Sequence, residues 1–487
     1  MIWPDIAALL LTRLEWAILS YFLFVNGFYA LQLISAGWDM WEYTLKARGA
    51  NRWRVLGSRV APRISMIVPA RNEAATIAQS VQALLALHYP NLEIVVVNDG
   101  SGDGTLDVLR EEYDLVPIHP IYQKHIQSRP VRGLYWSRRH ANLLLVDKYV
   151  GGKADAQNAG LNLATGELIC VSDADTLIEP DALQRMVRPF LEPDVVAVGG
   201  TIRVANGSLV RSGRVTTPRA PRTPLAGFQA IEYLRAFLFG RLGWNRLGGN
   251  LIISGAFGLF RREAFIAVGG YAHDTVGEDM EVIVRLRRHG REHNRPRRVA
   301  FIPDPVAWTE VPESLAALGR QRDRWHRGLA QVMWRHRRLC FNPRYGVLGM
   351  VVYPLFLLVE LCAPVVEAMG LVGLLAGLLL GVVNLPFAFL FFLVAYGVNV
   401  VLTLVTLVLE EVNFHRYEGL GDRLILLAWA VLEPLGYRQL TVLWRLRGLL
   451  NFARGRTDWG AMERRGFTGS ARPTSRSPSG PSRTTAA

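Results

Sequence analysis

Cysteine is nearly missing from this chain. Only Cys170, Cys340 and Cys362 occur among 487 residues. They are odd in number and far apart, which excludes a disulfide framework and zinc-ligand spacing and points to a reducing compartment. The ten histidines never fall into an HExxH pattern, and no GxSxG elbow is present. Zinc-hydrolase chemistry of the HExxH type and serine-hydrolase chemistry therefore have no footing. There is no nucleic-acid motif, no nucleotide-triphosphate P-loop spacing and no internal repeat. Charged residues are only 20% of the chain, against 50% hydrophobic, which is too apolar for a disordered protein. The length is about three times the ~150 residues of one domain, enough to bury a large core.

What is present is unevenly distributed. Trp16–Ala36 is one uncharged run, close to the ~20 residues that span a bilayer. Its length, its aromatics and the lack of a small-residue cleavage site argue against a removable signal. Arg13 precedes it, whereas Lys46, Arg48, Arg52, Arg54, Arg59 and Arg63 follow. The positive-inside bias then predicts an outer N-terminus and a cytoplasmic domain after the span. From Arg63 to about Arg338, short apolar runs at Ile64–Pro69, Leu92–Asn98, Leu143–Asp147, Leu168–Asp173 and Val195–Gly200 alternate with helical spacing. The predicted helices are Ala74–Leu87, Lys153–Ala164, Pro180–Leu191 and Asp279–His289. This alternation predicts an α/β fold with a mostly parallel sheet covered on both faces. Ala205–Pro224 reads as a flexible polar loop.

Beyond it, Val347–Val366 is apolar apart from Glu360, and Ala368–Leu409 carries no charge. Asn384-Leu385-Pro386 reads as a turn, and Leu424–Phe452 as one interfacial amphipathic helix. Basic residues at both ends of this region predict an even number of crossings, two in preference to four. Residues after about Gly466 have a disordered composition. The divisions expected are 1–59 (membrane helix and basic linker), 60–340 (catalytic domain), 341–465 (membrane and interfacial helices) and 466–487 (tail). The net charge of +14 clusters beside the apolar segments, so a lipid bilayer and a phosphorylated substrate are the expected partners, and nucleic acid is not.

Five stretches could carry chemistry. Asp99 ends an apolar strand and enters a glycine-rich turn; in an open α/β sheet that position faces the ligand crevice, though a capped turn has the same composition. Asp173 and Asp175 follow another strand, and carboxylates two apart in extended chain point the same way. They suit Mg²⁺ or Mn²⁺, or a solvated turn. Gly151-Gly152-Lys153 opens a helix with a cation in its first turn, against the helix dipole, which hints at an anionic partner. Glu278-Asp279 opens another helix, either as caps or as a general base. Gln321, Arg324 and Trp325 share a helix face by their three- and four-residue spacing. Arginine clamps a diphosphate and tryptophan stacks on a ring, while both residues are equally at home beside lipid.

In this order the set resembles the family 2 glycosyltransferases of GT-A fold, in the membrane-embedded branch of cellulose, chitin, hyaluronan and poly-N-acetylglucosamine synthases. The resemblance covers Ile64 to Trp325. It rests on Val68-Pro69-Ala70-Arg71-Asn72-Glu73, Asn98-Asp99-Gly100-Ser101, Lys153 to Asn158, Asp173-Ala174-Asp175, Ser254-Gly255, Glu278-Asp279 and Gln321-x-x-Arg324-Trp325. It implies that Asp99, with Pro69, Arg71 and Glu73, holds the uridine of a UDP-sugar such as UDP-glucose or UDP-N-acetylglucosamine. Lys153, Gln321 and Arg324 would meet the diphosphate. Asp173 and Asp175 would hold Mg²⁺ or Mn²⁺, with Asp175 the direct ligand. Asp279, beside Glu278, would be the base, and Trp325, Ser254 and Gly255 would form the acceptor site. Asn98 departs from a frequent second Asp, and Gly277 from a frequent Thr. The implied activity is inverting transfer that extends a β-linked glycan, processive and coupled to export with possible partner subunits. The alternatives are single-sugar transfer to a lipid carrier and a non-catalytic export scaffold. Glu360 and Glu367, seven apart, either line the glycan route or sit at the interface.

Overall fold

The computed structural model describes residues 2–48, 61–211, 213–381 and 385–456. Most of the basic linker, Asn384 and the tail from 466 lie outside the described residues. A single helix, Ile2–Arg48, begins the chain. It outruns the expected Trp16–Ala36 span because nothing breaks it afterwards, and an exposed Glu42–Lys46 pair at 2.7 Å follows its last turns.

The strands are β1 (Ile64–Ala70), β2 (Leu92–Asp99), β3 (Leu115–Ile118), β4 (Val131–Ser137), β5 (Leu143–Lys148), β6 (Leu168–Ser172), β7 (Leu177–Ile178), β8 (Val195–Val204), β9 (Leu209–Arg211), β10 (Arg214–Thr217), β11 (Phe257–Arg261) and β12 (Arg298–Thr309). Ten of them form one sheet in the order β3-β4-β5-β2-β1-β6-β11-β8-β12-β7. β5, β2, β1 and β6 are mutually parallel, as are β8 and β12, while β11 runs antiparallel between β6 and β8. The parallel block shows why its strands read as continuous apolar runs. Met66, Val68, Ile94, Val96 and Cys170 feed one core, and Ile67, Val95, Val97, Ile169 and Val171 feed the core on the opposite face. With both faces covered, neither set can be polar. One core also takes in Ala36 and Met40 of the first helix, so that helix is packed against the sheet domain.

Two expectations need correction. Ala205–Pro224 is not wholly a loop: β9 and β10 pair as a hairpin, and Val210 and Val215 pack on the cluster of Leu177, Ala205 and Trp308. Leu424–Phe452 is not one helix but two, Leu420–Leu432 and Tyr437–Ala453. Pro434 and the left-handed Gly436 (φ +78°) break it.

Among the described residues, Thr12–Lys46 and Ala388–Phe414 are each long and apolar enough to cross a membrane, and Leu348–Leu361 with Ala363–Leu379 forms a third candidate bent by 41°. The first helix ties them together. Tyr21 donates to the Leu358 carbonyl at 3.0 Å and Asn26 to that of Val394 at 2.9 Å. Glu367 and Glu360 face the last helix, Glu367 pairing with Arg438 at 2.8 Å and Glu360 reaching Arg445 at 4.0 Å.

Candidate active site

The parallel strands deliver Ala70, Asp99, Lys148 and Ser172 to one edge of the sheet, where an open α/β fold binds ligands. At this edge the loops after β1 and β2 are stitched together. Asn72 and Glu73 donate their backbone N–H groups to Ser101 Oγ (3.0 Å) and Thr105 Oγ1 (2.9 Å), and Gly102 N–H donates to Asn72 Oδ1 at 2.9 Å. Pro69 lies in β1 opposite Val97, and Arg71 is exposed in the loop. Asn98, buried where an Asp is frequent, donates to Asp147 at 2.8 Å and accepts from Ser101 Oγ at 2.6 Å.

Asp99 is only 3% exposed. Its Oδ1 takes the Lys148 ammonium at 2.6 Å and Gly151 N–H at 2.9 Å, and its Oδ2 takes Gly152 N–H at 2.8 Å. Lys148, fully buried, also reaches Asp155 at 2.5 Å. Asp99 therefore fixes the loop that presents Lys153. Gly152, at φ +90°, makes the left-handed turn that loop requires. Sequence reading passed over Lys148, although a lysine ending an apolar strand was a usable signal.

Lys153 begins the Lys153–Leu163 helix and points across the edge. Its ammonium meets Asp173 at 2.5 Å and donates to the Gly255 carbonyl at 3.4 Å. Burial would lower its pKa, but Asp173 and then Glu278 outweigh burial and hold it above the usual lysine value. Pairing of β11 with β6 sets Phe257 opposite Ser172. This draws the Ser254–Ala256 segment alongside the acids, with Asp173 N–H donating to the Ala256 carbonyl at 3.2 Å. Gly255 N–H donates to Asp279 Oδ2 at 3.2 Å and Met280 N–H to Asp279 Oδ1 at 2.8 Å. Burial, and for Glu278 the neighbouring Asp279 charge, pushes both carboxyls above their ordinary range. A buried carboxylate of raised basicity, opened toward a crevice, is equipped to take a proton.

The helix Leu315–Arg335 closes the other side. Arg324 is buried and in electrostatic reach of Glu278, Asp279 and Asp173. Gln321 has a buried amide oxygen without a hydrogen-bond partner among the described residues. Trp325 turns away to 43% exposure, with the Arg322 guanidinium over its ring at 4.5 Å. So Lys153, Asp173, Gly255, Glu278, Asp279 and Arg324 converge and Asp99 lies beneath the Lys153 loop, while Trp325 faces outward from them. Ser254 keeps its Oγ at 3.4 Å from Ala256 N–H.

Gly277 and Gly328 meet main chain to main chain. A Cβ on Gly328 would lie 3.0 Å from the Gly277 Cα, and one on Gly277 3.1 Å from the Gly328 Cα. That contact accounts for glycine at 277. Gln331 reinforces it, its Oε1 accepting from Thr275 Oγ1 and Val276 N–H, each at 3.0 Å. Arg241, which no sequence signal singled out, is half-buried and within electrostatic reach of Asp279. It donates to the Ile252 carbonyl at 3.0 Å and lies over Phe237 at 4.6 Å. Burial lowers its pKa to about 10, and the Asp279 carboxylate opposes that shift most strongly.

The described residues contain no group of three or more His, Cys, Asp or Glu that could cage a metal. Asp173, paired with Lys153, and the half-buried Asp175 follow β6, so two carboxylates with hard oxygens stand just beyond that strand. This set fits an ion that keeps its waters and takes its other ligands from phosphate.

The sequence profile of the family described as "Glycosyltransferase like family 2" matches residues 62–328, just over half of the chain. The chain belongs to the family 2 glycosyltransferases. The resemblance to that family drawn from its motifs holds. Among curated proteins, this glycosyltransferase is similar to the poly-beta-1,6-N-acetyl-D-glucosamine synthase of Staphylococcus epidermidis. The two are 27% identical over 322 residues, 65% of this chain and 67% of that one. The synthase of the same name from Staphylococcus aureus strain COL is 29% identical over 274 residues, 56% of each chain. The chain thus spans between about half and two thirds of the length of these relatives. Among solved structures, a mannosyltransferase from Pyrobaculum calidifontis in complex with GDP-Man and Mn²⁺ is 22% identical. The match covers 84% of this chain and 98% of that one, with a TM-score of 0.47. Residues 1–349 of TarS from S. aureus, in complex with UDP-GlcNAc, are 14% identical over 77% of this chain and 92% of that one, with a TM-score of 0.37.

Proposed function

We propose that this glycosyltransferase extends a β-linked polysaccharide at the membrane by inverting transfer from a UDP-sugar, and that the sugar is N-acetylglucosamine. The observation that carries the reading is the convergence of Lys153, Asp173, Glu278, Asp279 and Arg324 around Gly255 at the ligand edge of the sheet. The donor is inferred from the synthases to which the chain is similar. Asp99 shapes the uridine end through the Gly151–Gly152 loop, with Pro69, Arg71 and Glu73 on its rim. Lys153, Gln321 and Arg324 face the diphosphate. Asp279 accepts the proton of the attacking hydroxyl, and Glu278 keeps the surroundings of that carboxylate negative. Ser254, Gly255 and Trp325 border the acceptor.

One base opposite one leaving group suits direct displacement at the anomeric carbon, so an α-linked donor gives a β-linked product. Asp173 and Asp175 would hold Mg²⁺ or Mn²⁺, which neutralises charge on the departing diphosphate when bound. The divisions at 60, 341 and 466, several membrane crossings and a cytoplasmic site belong to this reading. They follow from the basic residues around the apolar spans. Sealed inverted membrane vesicles given radiolabelled UDP-N-acetylglucosamine or UDP-glucose, with Mg²⁺ or Mn²⁺, test it. The expected result is a large labelled glycan from UDP-N-acetylglucosamine. Label confined to a lipid would reject extension, and a polymer from UDP-glucose alone would reject the donor.

A further inference from the structure

From Arg324 to Val359 the sequence contains six arginines and no acid. Arg324 and Arg327 are buried, and Arg335 pairs with Asp274. The other three, Arg337, Arg338 and Arg344, are exposed, and among the described residues none forms an ion pair within 4.0 Å. They sit on a built turn. Leu339 and Tyr345 are pegs in the core beneath it. Asn342 accepts from Arg344 N–H at 3.0 Å and donates to the Arg338 carbonyl at 3.2 Å. On the same turn Trp334 is 61% and Phe341 67% exposed. Arg337 lies over the Trp334 ring at 4.8 Å. Phe341 has φ +54°, a left-handed conformation that is strained for a bulky residue, and its N–H is fixed to the Gly349 carbonyl at 3.0 Å. Five residues after Phe341, Gly346 turns the chain into the exposed apolar Val347, Met350 and Val351, at the start of the bent membrane-helix pair.

We propose that the Trp334–Arg344 turn is a docking surface for anionic phospholipid headgroups. Guanidinium groups pair with phosphate oxygens through two donors at once, and aromatic rings settle at headgroup depth. Arginines with no acid within 4.0 Å, beside a membrane helix, are the charge complement of an anionic leaflet, even though Arg337 donates to the Trp334 carbonyl and Arg344 acts on Glu292 at longer range. Continuity with the Leu348–Leu379 pair places the turn at that leaflet. The occupied turn would also hold the end of the helix that carries Arg324 to the acids. The inference rests on the membrane reading above but not on the sugar chemistry.

The test uses the full chain in liposomes of phosphatidylcholine with brominated or plain phosphatidylglycerol, followed by mild detergent extraction and counting of retained lipid. Wild type is expected to retain phosphatidylglycerol in excess, and the brominated lipid is expected to quench Trp334, seen as the difference from Trp334→Leu. The triple variant Arg337→Gln, Arg338→Gln, Arg344→Gln is expected to lose that excess about a hundredfold. Lysine at the same three positions should keep most of it, which separates charge from misfolding. The same number of neutralisations elsewhere, at Arg110, Arg138 and Arg139, should leave it unchanged. Equal retention by the triple glutamine variant, or equal loss in the remote control, overturns the proposal. So does pairing of chains in phosphatidylcholine that the triple variant abolishes, since the turn would then be a protein interface. A chain that polymerises sugar yet shows no phosphatidylglycerol excess would sink this inference and leave the proposed function standing.

Discussion

The two ends of the crevice are built on opposite terms. Around Asp99 the charges are tied down: Lys148 bridges two carboxylates, and two backbone N–H groups donate to Asp99. Around Asp279 the carboxylates crowd together, and Lys153, Arg241 and Arg324 stand near without cancelling burial. The first arrangement stabilises a shape. The second keeps groups away from their preferred protonation state, which destabilises the fold and favours proton transfer.

Substitutions should separate these ends. Asp279→Asn is expected to cut the initial rate of label transfer by about 10²–10⁴ or more. Its Tm at neutral pH should hold or rise. The raised pKa makes the half-buried carboxyl most favourable when protonated, and that stability is lost as pH climbs through the raised value; a neutral amide removes the loss. Chelation with EDTA is expected to stop transfer, with recovery on adding Mg²⁺ or Mn²⁺, and Asp175→Asn should not recover. Asp99→Asn should behave in the reverse sense, lowering unfolding free energy by about 1–3 kcal/mol because an amide has one acceptor oxygen for Lys148, Gly151 N–H and Gly152 N–H, and no charge to strengthen those bonds. Denaturant unfolding in detergent measures it, and an unchanged midpoint would break the contrast. Gly328→Ala should cost about 1–3 kcal/mol by overpacking against Gly277, read as a lower Tm. The smallest effect is expected from Arg241→Met. The rate falls as acid protonates the base, so loss of a cation that favours the ionised form should move the acidic limb of the pH–rate profile upward, by under about one unit.

The parallel block was legible because a strand buried on both faces leaves an uninterrupted Val/Ile run, as in β1, β2 and β6. β12 was hidden: Pro303 and Pro305 sit inside Arg298–Thr309, where they bend the register against β8. β11 gave only five residues and no alternation. At the site, acids at strand and helix ends stood out because position along an element is readable from sequence. The company those side chains keep is not. Lys148 and Asp155 are brought to Asp99 by topology, and Arg241 reaches Asp279 through a helix remote in sequence. Neighbouring residues on one helix also parted, Arg324 facing inward and Trp325 outward, since about 100° of rotation separates them.

The glycine-to-glycine crossing at 277 and 328 has one more consequence. With only hydrogens between them, the segment bearing the base and the helix bearing Arg324 cannot slide closer or yield by changing rotamers. The spacing of those two elements is therefore gauged by two main chains, and it stays the same whatever side-chain rotamers are adopted around it.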